Sequence, residues 1–234
     1  MKNPKIKFSV PSYEGVARSL FSLINNLKED YRNNIYMELP YNLYKDIIEN
    51  DFQYVKERLI EEIKKEHDIE KLKKFKRELE IYWGPLNDVF FRNLKEITGF
   101  DFEFNEYIVY ITEIIRGMYT TKNEVFTNLS KDIKRSGYIT AEEILHLHYW
   151  DIFKRVIKNV KMPWRISKEI WMISEIIPEF VLTDDSFEKF GWGKNLNRRY
   201  PFINEMKSKL SPVWKDKKDF KDFIEKAHEN LNFY

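Results

Sequence analysis

An α+β fold, mostly helical, is predicted by two observations. Apolar residues recur at helical spacing along most of the 234-residue chain, between Lys/Glu-rich turns. One stretch, residues 102–128, instead carries β-branched and aromatic residues in strand-like runs. A hydrophobic fraction of 43% supports a packed core of ordinary size, so a globular protein is expected rather than a disordered one.

In chain order, Lys5–Val10 alternates polar and apolar residues and reads as a short strand, stopped by Pro11. Ser12 caps a helix to about Leu27 that places Val16, Leu20, Leu23 and Ile24 on one face. After Pro40, a helical region carries Leu43, Ile47, Ile48, Val55, Leu59 and Ile63. His67-Asp68 then turns the chain into a second charged helix with Leu72, Phe75, Leu79 and Tyr82, and His67 reads as a surface residue. The pair predicts an N-terminal helical hairpin. Pro85 opens a further helix, closed at Thr98-Gly99.

Tyr107–Thr112 and Glu124–Asn128 are the expected strands, with a loop over 116–123. Helices follow at about 140–157, 164–181, 202–210 and 218–231, the last two as amphipathic covers. The Trp192–Arg199 stretch reads as a surface loop. The change of character near Gly99 divides a mainly helical region, 1–99, from an α+β region, 100–234, with a single continuous core as the alternative.

Composition removes several functions. The 40 basic and 38 acidic side chains are interspersed and leave a net charge of +2, so neither nucleic acid nor a membrane surface is an expected partner. Without a cysteine, thiolate nucleophiles, disulfides and cysteine-ligated metals are excluded. With no signal-peptide pattern and no apolar run of ~20 residues, the expected location is cytoplasmic. No glycine-rich phosphate loop has the required spacing.

The remaining chemistry centres on Glu142, Glu143, His146 and His148, which include two of the four histidines. On a helical wheel over 140–157, Leu145, Tyr149, Ile152, Phe153 and Val156 mark the buried arc. Glu142 and His146, four apart, fall beside that arc, and Glu143 lies at its edge. His148 points away, toward Asp151 and Arg155, and is expected at the surface or behind the site. Thr140 and Glu143 also have the spacing of a capping box, which would start the helix there for structural reasons alone.

Glu142-Glu143-Ile144-Leu145-His146 resembles the His-Glu-x-x-His helix of gluzincin-type metallopeptidases, with Glu142 in place of the first histidine. The following helix, with Glu175, is similar to the one that supplies the third ligand in that family. The resemblance covers roughly residues 100–182. It implies a zincin-like small mixed sheet beside a ligand helix, with Glu142, His146 and Glu175 as metal ligands and Glu143 as the catalytic base. It further implies a metal-dependent hydrolase acting on peptide or protein. Zinc is the family metal, and a Glu/His/Glu set shifts preference toward manganese or iron. A catalytically inactive relative working as an interaction protein through its N-terminal helices is the alternative. A second alternative is a di-iron carboxylate helical protein, since Glu143-x-x-His146 and Glu225-x-x-His228 both carry its Glu-x-x-His element.

Overall fold

The computed structural model describes residues 3–26, 37–115, 117–120, 122–157, 168–192 and 203–231. The expected surface loop, beyond Trp192, and the helix start near Trp164 lie outside them. The elements run in the order β1 (Lys5–Ser9), α1 (Tyr13–Asn26), α2 (Tyr41–Glu49), α3 (Phe52–Glu66), α4 (Ile69–Trp83) and α5 (Asn87–Thr98). Then follow β2 (Glu106–Thr112), β3 (Met118–Tyr119), β4 (Glu124–Asn128), α6 (Ile133–Val156), α7 (Lys168–Val181), α8 (Ile203–Lys215) and α9 (Phe220–Leu231). Helices take 69% of the described residues, so the protein is α+β and mostly helical.

The sheet is mixed and four-stranded, in the order β1-β2-β4-β3. β2 and β4 pair in parallel, with Val109 opposite Val125 and Ile111 opposite Thr127. β3 runs antiparallel to β4, Met118 opposite Phe126. Tyr107, Val109 and Ile111 are buried at every second position of β2, whereas Val125, Phe126 and Thr127 are buried in succession. The alternation in β2 is that of a strand with one interior face, and the unbroken burial in β4 that of a strand covered on both.

The chain divides into two compact units, each drawing on both sides of Gly99. One comprises 6–84 and 107–143; the other comprises 1–5, 85–106 and 144–234. The core of the first joins Val16, Leu20 and Ile24 of α1 to Ile47 of α2 and to Val55, Leu59 and Ile63 of α3, closed by Ile114, Ile115 and Phe126. The i,i+4 spacing of these residues is what turns them to one side of each helix. Burial of each such side chain contributes about 1.5–3 kcal/mol. α3 packs chiefly on α1 and α2. α1, α2 and α3 form a three-helix layer, and α4 follows α3 across a tight turn at His67-Asp68. Asp51 and Asp68 explain the breaks in the helical run. Each accepts a backbone N–H at a helix start, from Tyr54 at 3.0 Å and from Glu70 and Lys71 at 3.0 Å.

In the other unit, α7, α8 and α9 pack on one another, and α9 also meets α5. Phe180 stacks on Trp214 at 5.1 Å, and both lie against Phe223. α7 continues through Pro178 to Val181.

α6 begins seven residues before the expected start at Thr140. Thr140 is an interior position whose hydroxyl donates to the Ser136 carbonyl at 2.9 Å, so Thr140 and Glu143 form no capping box. The helix tolerates Gly137 because that position needs an absent side chain: a Cβ there would sit 2.4 Å from Cε1 of Tyr82. Replacing Gly137 with Ala should therefore destabilise the protein by about 1–3 kcal/mol, the usual overpacking penalty, despite alanine's better helix propensity. Urea denaturation checks this, and Tyr82→Ala in the same chain should recover part of the loss.

Candidate functional site

α6 is buried on every side over its central three turns. From Glu143 to Phe153 each residue is inside the protein, and Glu142 is partly exposed. A helix covered all round has no polar face, so the wheel's division into inner and outer positions does not apply. His148 is the consequence: it lies not at the surface but at 1% exposure.

The chemistry around His148 is structural. Its Nε2 is 3.0 Å from the Thr98 hydroxyl, and that hydroxyl donates to the Leu94 carbonyl at 2.8 Å. With its one proton committed, the hydroxyl can only accept from the ring. His148 is thereby fixed as the neutral Nε2–H tautomer. Phe102 lies over the imidazole, centroids 4.5 Å apart. Burial, reinforced by the Arg155 charge and opposed by Asp101, pushes the imidazole pKa down to about 3. Asp151, one turn on, is held by Arg155 through both carboxylate oxygens. Its pKa is nevertheless raised, because burial outweighs the guanidinium.

The residues singled out by the metallopeptidase resemblance fall differently. His146 is buried, and its Nε2 lies 4.0 Å from Oε1 of Glu175 on α7. The expected ligand pair thus comes together within one unit. Two donors sharing an ion at ~2.1 Å in tetrahedral geometry stand about 3.4 Å apart, so a small side-chain rotation would bring this pair into register. Glu143 is buried in the other unit, with Oε1 only 2.7 Å from where a Cβ on Gly117 would stand. The carboxylate fills the space that glycine leaves, and a φ of +23° at Gly117 favours glycine there as well. Among the described residues, no group of three or more His, Asp or Glu side chains is placed to hold a metal. The expected three-ligand set of Glu142, His146 and Glu175 is accordingly present only as its His146–Glu175 part.

The other carboxylate–histidine element, Glu225 and His228, lines a shallow cavity of about 660 Å³ with Arg155, Lys221 and Glu229. Glu179 of α7 is buried and accepts from the Lys207 ammonium of α8 at 3.0 Å. The sequence reading missed Thr98 as a partner. It is a helix C-terminal threonine fifty residues from His148, and nothing in its local spacing signals the contact.

The ring of His148 should show no titration between pH 8 and 5, and its nitrogen shifts should report the Nε2–H tautomer throughout. Long-range proton–nitrogen NMR spectra check both. Because the folded pKa lies below the unfolded value of ~6.5, the contribution of His148 to stability is complete above that pH and declines as pH falls toward 3. Thr98→Val should cost about 1–3 kcal/mol by leaving the ring N–H without its acceptor, as read by urea denaturation.

No family model matches the chain, and no curated protein or solved structure matches it.

Proposed function

We propose that the chain is a metallopeptidase-like protein with a reduced metal centre, built on His146 and Glu175. The observation that carries this reading is their approach to 4.0 Å on two different helices, both side chains largely withdrawn from solvent. Imidazole and carboxylate together suit a divalent first-row ion such as zinc, manganese or iron. A bound ion at this position supplies Lewis acidity and an acidified water. Glu143 is the residue the resemblance assigns as base, and the substrate class is peptide or protein in the cytoplasm. No described helix is long and apolar enough to cross a membrane.

A specific observation favours a second reading, that of a non-catalytic interaction protein. Among the described residues, the large hydrophobic side chains most exposed to solvent, Tyr41 at 79% and Ile81 at 76% together with Tyr54 and Ile48, belong to α2, α3 and α4. These are the N-terminal helices on which that reading depends, and scattered apolar exposure of this kind is otherwise common. The di-iron reading calls for an all-helical carboxylate bundle, and the four-stranded sheet departs from it.

Adding Mn²⁺, Fe²⁺ or Zn²⁺ to chelator-treated protein should raise Tm in a saturable manner. Glu175→Gln should abolish that shift, while Glu143→Gln should keep the shift and lose peptide hydrolysis. No stabilisation by any of the three ions would sink the metal reading. Retention of biological activity by Glu143→Gln, with its loss in Tyr41→Ser or Ile81→Ser, would establish the interaction reading in its place.

A further inference from the structure

The turn between α3 and α4 holds an imidazole in surroundings that suit only its neutral form. His67 follows the last residue of α3 and is 1% exposed, although its position between two charged helices predicts a surface side chain. Neither ring nitrogen has a hydrogen-bond partner among the described residues. Orphaned polar groups inside a protein are rare, and each normally costs about 1–3 kcal/mol. The edge-on contact with the Tyr13 ring of α1, centroids 6.1 Å apart, is apolar packing.

The charged and titratable groups around the turn come from four elements. α1 contributes Tyr13, and α3 contributes Lys64, whose ammonium lies 5.7 Å from the Tyr13 ring centroid. α4 contributes Asp68 and Lys71, and the segment after β2 contributes Glu113. The Glu113 carboxylate closes the turn, accepting from the Asp68 backbone N–H at 3.0 Å and from the Lys71 ammonium. Both of its oxygens are thus already engaged. Asp68 Oδ1 is likewise committed to the amides of Glu70 and Lys71 in the first turn of α4.

We propose that this turn is an acid-sensitive latch, in which protonation of His67 opens the junction of α3 and α4. A protonated imidazole presents two N–H donors where the folded turn offers no acceptor, and it adds a charge inside a closed space. It is relieved either by leaving the interior or by taking Glu113 from Asp68 and Lys71. Both routes undo the same contact. Burial is the main influence on the ring and holds it neutral, opposed by the negative charges of Glu113 and Asp68. The sign follows from linkage. The closed turn excludes the proton and the open turn accepts it, so closure is complete above the ordinary histidine pKa and weakens as pH falls below it.

Amide hydrogen exchange over residues 66–72, corrected for the intrinsic pH dependence of exchange, tests the latch on the full chain between pH 7.5 and 5. Protection in the wild-type protein should fall up to about tenfold per pH unit below ~6.5. In His67→Phe, which keeps a ring against Tyr13 but cannot be protonated, it should stay level. An equal loss in both proteins, or no loss in the wild type, overturns the proposal. Should the variant fold poorly, the wild-type ring titration decides alone. Amide shifts of residues 68–72 that move together with the His67 ring support the latch, and a ring that titrates while those amides stay fixed overturns it.

Discussion

The absence of a solvent face on α6 governs most of what surrounds it. Eleven consecutive residues, Glu143 to Phe153, are inside the protein, and four of them carry a carboxyl or imidazole group: Glu143, His146, His148 and Asp151. Ionisable groups so placed demand specific partners. The structure supplies them locally. Thr98 fixes the His148 tautomer, Arg155 neutralises Asp151, and the missing side chain at Gly117 makes room for Glu143. Much of the chemistry concentrated in this helix is therefore spent on burying the helix itself.

That distribution separates two kinds of histidine on one helix. His148 has its proton, its neighbour ring and its acceptor all assigned, and it has the suppressed basicity of a packing residue. His146 instead faces a carboxylate at a distance too long for a hydrogen bond and short enough for a shared ligand. The contrast is informative because both lie in the same covered segment. Equal burial leaves the two imidazoles with different partners, a hydroxyl for His148 and a carboxylate for His146.

The sequence disclosed element types well, because the periodicities of 3.6 and 2 are local properties. Strands at 107–112 and 124–128, the helix ending at Gly99 and the apolar faces of α1, α3 and α4 were legible, whereas Ile48, read with the apolar residues of α2, is exposed. What failed shares one cause. His67 beside Asp68 looks like turn chemistry, yet it is tucked beneath that turn. Thr140 before two glutamates looks like a helix start, yet the helix runs seven residues earlier, through a glycine made necessary by Tyr82. His148 appeared to face solvent because a wheel assumes one exposed side. In each instance a distant segment overrides the local signal. The candidate site was less legible: only the metallopeptidase resemblance linked His146 to Glu175, and the surroundings of Glu143 depend on contacts that spacing does not encode.

The interleaving of the two compact units also bears on how the chain reaches its native state. Neither unit is a continuous stretch, since 85–106 interrupts one and 6–84 and 107–143 interrupt the other. The parallel pairing of β2 with β4 and the insertion of Phe126 among the helices of the first unit are non-local contacts, and chains rich in these fold slowly. On the ribosome, residues 6–143 can close the first unit before residue 144 has emerged, provided that 85–106 is held aside as an open loop. That intervening segment carries Phe90, Phe91 and Leu94, which are fully buried in the finished protein. While the rest of its own unit is missing these side chains have no completed core to enter, and transiently exposed apolar surface of this kind favours aggregation.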